Sequence, residues 1–161
     1  MKSSPESPDD SRAKALTKAV DLLALRPHFG AELAVKLKRR GFDASTVEAT
    51  LARLLELGYL DDLEAARGFS GQRVARQGWG PRRLTAELSR RGVGEDHVRT
   101  VVGEVFAAGE APLAREAASR WAAKGGSDRD RLARYLDRRG FSMSVIVEIL
   151  GEFAAERQER P

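Results

Sequence analysis

The chain has 161 residues, with 42% hydrophobic and 32% charged side chains, a composition that excludes an ordinary disordered protein and specifies a charged globular one. The 28 Lys and Arg exceed the 24 Asp and Glu by four, and Cys is absent, which excludes disulfides, thiol catalysis and cysteine metal sites. No apolar run approaches the ~20 residues of a membrane span.

Residues 1–11 (MKSSPESPDDS) are rich in Ser, Pro and Asp and are expected to form a disordered polar tail. They lack the apolar stretch of a secretory signal, so the expected compartment is the cytoplasm. From Arg12 onward the period is helical. Leu16, Ala19, Val20 and Leu23 fall on one face, as do Val47, Leu51, Leu54 and Leu55. Val98, Val101, Val102, Val105 and Phe106 form a third such stripe, and Ile146, Ile149, Leu150 and Phe153 a fourth. No stretch of useful length alternates with period two, so the expected class is all-α.

Internal repetition is the larger signal. The segments 31–51, 82–102 and 130–150 align without a gap over 21 positions, at offsets of 51 and 48 residues. Leu33, Leu84 and Leu132 coincide, as do Leu37, Leu88 and Leu136. The triplets Arg39-Arg40-Gly41, Arg90-Arg91-Gly92 and Arg138-Arg139-Gly140 coincide too, each followed by Phe42, Val93 or Phe141. Each repeat reads as helix, glycine turn, helix. Gly41, Gly92 and Gly140 are expected in the left-handed conformation that ends a helix. A further helix precedes each pair, at about 12–25, 61–77 and 110–124. The expected fold is therefore nine helices in three tandem three-helix repeats: residues 12–57, 58–108 and 109–156, with a short tail at 157–161. Modules in series give an elongated, curved molecule. The helix at 61–77 is the least regular, because Gly68 and Gly71 each cost ~1 kcal/mol relative to Ala.

A feature common to all three repeats is read as structural, and a feature of one repeat as a candidate for function. Residues 67–91 hold seven arginines against one acid, a local charge of +6, whereas residues 43–66 carry −5. Such a cationic stretch attracts an anionic partner. Trp79 is expected to pack rather than to stack on bases, with Gly80 capping and Pro81 opening the next helix. Arg82 and Arg83 then stand in the first helical turn, against the positive end of the dipole, at a cost of ~0.3–1 kcal/mol each. A partner that uses their charge would explain them, and reversal of both to Glu is expected to leave the fold no less stable. The candidate binding residues are Arg73, Arg76, Arg82, Arg83, Arg90 and Arg91. The candidate structural residues are Gly41, Gly92, Gly140, Trp79 and Pro81. His28 and His97 have no metal-ligand spacing, no catalytic or phosphate-loop motif is present, and no catalytic residue or metal site is expected.

The strings GYLDD at Gly58–Asp62, RxxRxGWGPRRL at Arg73–Leu84 and RRGFS at Arg138–Ser142, with the threefold layout, resemble the RecX family of bacterial regulators of the RecA recombinase. The resemblance covers about residues 13–153. It implies a monomeric, cofactor-free, non-enzymatic protein that binds RecA filaments on DNA. That binding would damp recombination, ATP hydrolysis and co-protease activity, and so act in DNA repair and the SOS response. Weak direct DNA binding and no membrane association belong to the same expectation. The alternatives are a helix-turn-helix DNA-binding protein and a protein-binding adaptor. Against the former, Val47–Leu57 and Val98–Ala108 are apolar and acidic rather than base-reading.

The aligned leucines generate a test of register. Replacing Leu37, Leu88 or Leu136 by Ala is expected to destabilise the protein by ~2–5 kcal/mol through a core cavity. Chemical denaturation of each variant measures it, and a neutral result places that position outside a core.

Overall fold

A computed structural model describes residues 7–158, the side chains of 156–158 apart. Among the described residues there are nine helices and no strand: α1 (Pro8–Leu25), α2 (Gly30–Lys38), α3 (Ala44–Glu56), α4 (Asp62–Gln77), α5 (Pro81–Arg90), α6 (Glu95–Val105), α7 (Ala111–Ala123), α8 (Arg129–Arg139) and α9 (Met143–Gln158). None is long and apolar enough to cross a membrane.

Local chemistry sets the helix ends. Asp43, Asp61 and Asp128 each accept a hydrogen bond from the backbone N–H three residues on, capping α3, α4 and α8. At the end of α2, α5 and α8 the same turn recurs. Gly41, Gly92 and Gly140 have φ of 89°, 79° and 89°. The next residue donates its N–H back five positions, Phe42 to Leu37, Val93 to Leu88 and Phe141 to Leu136. This is the bonding of a Schellman termination, with the residue after the glycine folded onto the core.

Two expected ends move. Helix α1 starts at Pro8, so Pro8–Ser11 are helical rather than tail, and residues 1–6 lie outside the described residues. Pro8 supplies a pre-set φ at the first helical position, and Asp9 and Asp10 complement the dipole. Helix α9 continues to Gln158, past the expected boundary at 156. The glycine-bearing α4 is continuous over 16 residues.

Helices pack chiefly within modules, α1 on α3, α4 on α6 and α7 on α9, with the middle helix of each module bridging its pair. Three separate cores result. Leu33, Leu37, Val47 and Leu54 centre the first, Leu84, Leu88, Val98 and Val101 the second, and Leu132, Leu136, Phe141 and Ile146 the third. Leu37, Leu88 and Leu136 are each 0% exposed, at the centre of their modules. The accessible surface is 10229 Å². A compact monomer of this mass exposes only about 7,900 Å², so the molecule is drawn out.

The cores are linked at the joints. Phe29, from the α1–α2 connection of the first module, is buried in the core of the second. Beside it the Gly30 N–H donates to Asp62 Oδ1 at 2.8 Å. His28 is buried next to this joint, its Nδ1 2.9 Å from the Arg26 carbonyl and its Nε2 2.8 Å from Lys36 Nζ. Burial pushes its pKa below the ordinary value, so the ring is neutral, donating from Nδ1 and accepting from Lys36. Leu113 of α7 packs against both the second and the third core.

Gly68 and Gly71 are exposed, and a Cβ at either meets nothing within 4 Å. Gly68→Ala and Gly71→Ala are therefore expected to stabilise the protein by about 0.4–1 kcal/mol each. A rise in denaturation midpoint at unchanged m-value is the expected reading.

Candidate functional site: the arginines of the middle module

The second helices of the three modules meet end to end. The start of α5 abuts the end of α8: the Gly80 N–H donates to the Arg139 carbonyl at 2.7 Å, and the Arg82 N–H to the Gly140 carbonyl at 3.1 Å. The end of α5 in turn faces the start of α2, where a Cβ on Gly92 would lie 2.4 Å from Ala31 Cβ. At the α5–α8 contact a Cβ on Gly80 would lie 2.6 Å from the Gly140 carbonyl carbon, and one on Gly140 would lie 2.4 Å from Arg83 N. Only glycine fits at either place. Two N–H groups at the start of α5 are thus satisfied by the carbonyls that end α8, and opposite dipole ends face each other.

This contact accounts for Arg82 and Arg83. The Arg82 guanidinium donates to Asp137 Oδ1 at 2.6 Å, and Arg83 Nη1 donates to the Arg138 carbonyl at 3.1 Å. Their side chains reach across the joint to the negative end of α8, so the unfavourable position at the start of α5 is offset inside the molecule. The expectation that charge reversal leaves the fold no less stable is corrected accordingly. Arg139 Nη1 crosses the same joint to the Gln77 carbonyl, and Arg120 Nη1 donates to the Ala75 carbonyl at 2.6 Å.

The other candidates fall into three groups. Arg91 Nη1 donates to Glu32 Oε1 at 2.7 Å across the joint with the first module, while its Nε donates to Glu87 at 2.8 Å. Arg90 pairs with the same carboxylate at 2.8–2.9 Å. Hydrogen bonds from Arg90 and then Arg91 hold Glu87 down to about 2. Arg73 lies over the rings of Phe69 (5.0 Å) and Trp79 (5.5 Å). Arg91 covers Phe69 at 4.7 Å and Arg83 covers Trp79 at 4.5 Å. Arg91, Phe69, Arg73, Trp79 and Arg83 therefore form one alternating ladder of cations and rings, extended by the edge contact of Phe29 on Phe69. Such cation–ring contacts contribute ~0.5–1 kcal/mol where the cation is exposed, as at Arg83, and up to ~2 kcal/mol where it is desolvated. Trp79, 7% exposed, is a packing residue, and Pro81 opens α5. Arg76 is exposed, and no ion pair engages it among the described residues.

The charge of the +6 stretch is thus met in part by three acids distant in sequence, Glu32, Glu104 and Asp137. Arg67, for one, binds Glu104 through two hydrogen bonds of 2.8–2.9 Å. Sequence reasoning missed this because Glu32, Glu104 and Asp137 lie in other helices. It also missed a groove in the third module where Lys124, Arg131, Arg134 and Arg138 gather around Trp121. The signal was available in the spacing of residues 131, 134 and 138. No group of three or more His, Asp or Glu among the described residues could hold a metal ion.

Comparison with known proteins fits this architecture. The first three-helix domain of RecX matches residues 15–54 and the second matches residues 61–102. The chain belongs to the RecX family. It is 33% identical over 166 aligned positions to the regulatory protein RecX of Mycobacterium sp. (strain KMS), covering 97% of this chain and 91% of that protein. It is 38% identical over 136 positions to the regulatory protein RecX of Thermus thermophilus, covering 84% and 89%. The crystal structure of RecX from Lactobacillus salivarius superposes with a TM-score of 0.79 at 17% identity, over 91% of this chain and 99% of that one. A second RecX crystal structure gives 0.75 at 23% identity, over 92% and 80%. Each superposition covers more than nine-tenths of this chain, so the fold is shared with both structures.

The α5–α8 joint is open to test. Arg82→Glu with Arg83→Glu places carboxylates against Asp137 and the carbonyl end of α8, and is expected to lower the melting temperature. Asp137→Arg in the same background restores an opposite-charge pair and is expected to recover part of the loss. A double mutant that melts at or above the wild-type temperature removes the joint as their explanation.

Proposed function

We propose that this protein binds RecA filaments assembled on DNA and restrains their recombinase, ATPase and co-protease activities. Membership of the RecX family carries the reading, through the match of its first two modules and of nearly the whole chain to proteins named as regulators. The drawn-out body supports it. A long helical polymer offers a repeating surface, and modules in series spread contact over several of its subunits.

Within the middle module, Arg76 is the candidate best suited to an intermolecular role, since no ion pair within the described residues uses its charge. Arg73, Arg83 and Arg90 contribute their exposed edges while serving the ladder and the Glu87 pair. Arg82 and Arg91 act mainly in the joints, and position the others. The filament is anionic through its DNA, so inhibition weakens with added salt.

Titration of the protein into RecA turning over ATP on single-stranded DNA tests the reading, with a concentration-dependent fall in hydrolysis expected. Arg76→Glu is expected to melt like the wild type, as a surface substitution within about 0.5 kcal/mol. It is expected to need a higher concentration for half-inhibition. Unchanged inhibition by a normally folded Arg76→Glu variant removes this arginine from the contact surface. No effect of the wild type on ATP hydrolysis or strand exchange removes the RecA reading itself.

A further inference from the structure

Four cations in the third module have no acid to answer them. Lys124 ends α7, and Arg131, Arg134 and Arg138 follow at helical spacings of three and four residues on one face of α8. All four are exposed, and together with Trp121, Gly125 and Gly126 they line one shallow groove. No acidic side chain lines it, and among the described residues none of the four enters an ion pair. Of the acids around α8, Asp128 caps the helix and Asp137 is held by Arg82 across the joint; Asp130, exposed in the first turn, pairs with none of the four and does not line the groove. This differs from the middle module, where most arginines are answered from within.

The groove floor is packed from within the module. A Cβ on Gly126 would lie 2.4 Å from the Trp121 ring, so the Gly125-Gly126 turn lies directly on the indole. Tyr135 and Phe153 approach the same ring with centroids 6.3 and 6.1 Å away. Trp121 is thereby a floor rather than a stacking platform, and the groove offers charge without an aromatic surface for bases.

We propose that this groove is a binding site for the phosphodiester backbone of nucleic acid, engaged without regard to base sequence. Arg131 to Arg138 spans about 10 Å along the helix, long enough to meet more than one phosphate of a strand. Three of the four cations are arginines, whose planar fork pairs with two phosphate oxygens at once. An acidic peptide would need, besides charge, an apolar pocket or a strand edge for its side chains and backbone, and the groove presents neither. The site does not rest on the RecA reading, because it acts on DNA alone.

The test uses the full chain with a labelled oligothymidylate and a labelled duplex, RecA being absent, and follows anisotropy over a range of salt. The wild type is expected to bind both, with log affinity falling linearly with log salt. The variant Lys124→Ala, Arg131→Ala, Arg134→Ala, Arg138→Ala changes only exposed side chains outside any ion pair and is expected to melt like the wild type. Its salt slope should be shallower by about 0.7–0.9 for each phosphate no longer neutralised, and its affinity at ~0.1 M salt at least tenfold weaker. Polyglutamate of equal charge should displace the DNA no better than simple salt at the same ionic strength. Wild-type affinity and slope in the folded variant overturn the site, as does a wild type that binds neither DNA. Displacement by polyglutamate as efficient as by unlabelled DNA overturns the choice of ligand in favour of an acidic protein. None of these results bears on inhibition of RecA, which is measured separately with Arg76→Glu.

Discussion

The end-to-end meeting of α8 with α5 is the constraint that fixes the arginines of the middle module. Helix ends leave backbone groups without partners, and a chain of small modules has many helix ends. Here the Gly80 and Arg82 N–H groups at one end take the Arg139 and Gly140 carbonyls at the other. The approach leaves no room for a Cβ on Gly80 or Gly140. With the backbones this close, the neighbouring side chains have fixed duties: Arg82 reaches Asp137, Arg83 reaches the Arg138 carbonyl, and Trp79 is enclosed beneath Arg83. The ladder of Arg91, Phe69, Arg73, Trp79 and Arg83 then carries this order across the middle module to Glu32 of the first.

Much of the fold was legible in the chain itself. The helical period, the threefold alignment and the glycine after each second helix specify nine helices, and the aligned leucines are fully buried. These are local or repeated signals, and repetition reinforces each of them. The start of α1 was misplaced because a Ser-Pro-Asp-rich segment has the composition of a tail and equally the chemistry of a helix start. The candidate site was legible only in part. A run of seven arginines is visible in sequence, but the pairing of three of them with Glu104, Asp137 and Glu32 depends on tertiary placement. Charge counted along a chain overstates charge presented at a surface whenever the counter-ions come from other modules.

Repeated and unrepeated features therefore divide differently from the simple rule. The Arg-Arg-Gly triplets are common to all modules, yet they diverge in use. Arg91 ties the second module to the first, and Arg139 ties the third to the second through the Gln77 carbonyl. Arg138, in the third module alone, faces a groove free of acids. The second arginine of the triplet thus serves as a joint in two modules, whereas the first pairs with Glu87 in the middle module and stands as an exposed cation in the third.

Phe29 has a consequence for how the molecule comes apart. A side chain that belongs to the first module by sequence is part of the second module's interior. Loss of order in α1 and α2 withdraws that ring and leaves a void beside Phe69, so the two cores share one cooperative transition. The third core shares Leu113 with the second but lends it no comparable aromatic ring, and its joint relies largely on backbone and guanidinium hydrogen bonds. In a linear array the weaker coupling between neighbours is where the domino line breaks first. The carboxy-terminal third is accordingly the segment expected to open first, with faster amide exchange in α7 to α9 than in the first two modules as the sign of it.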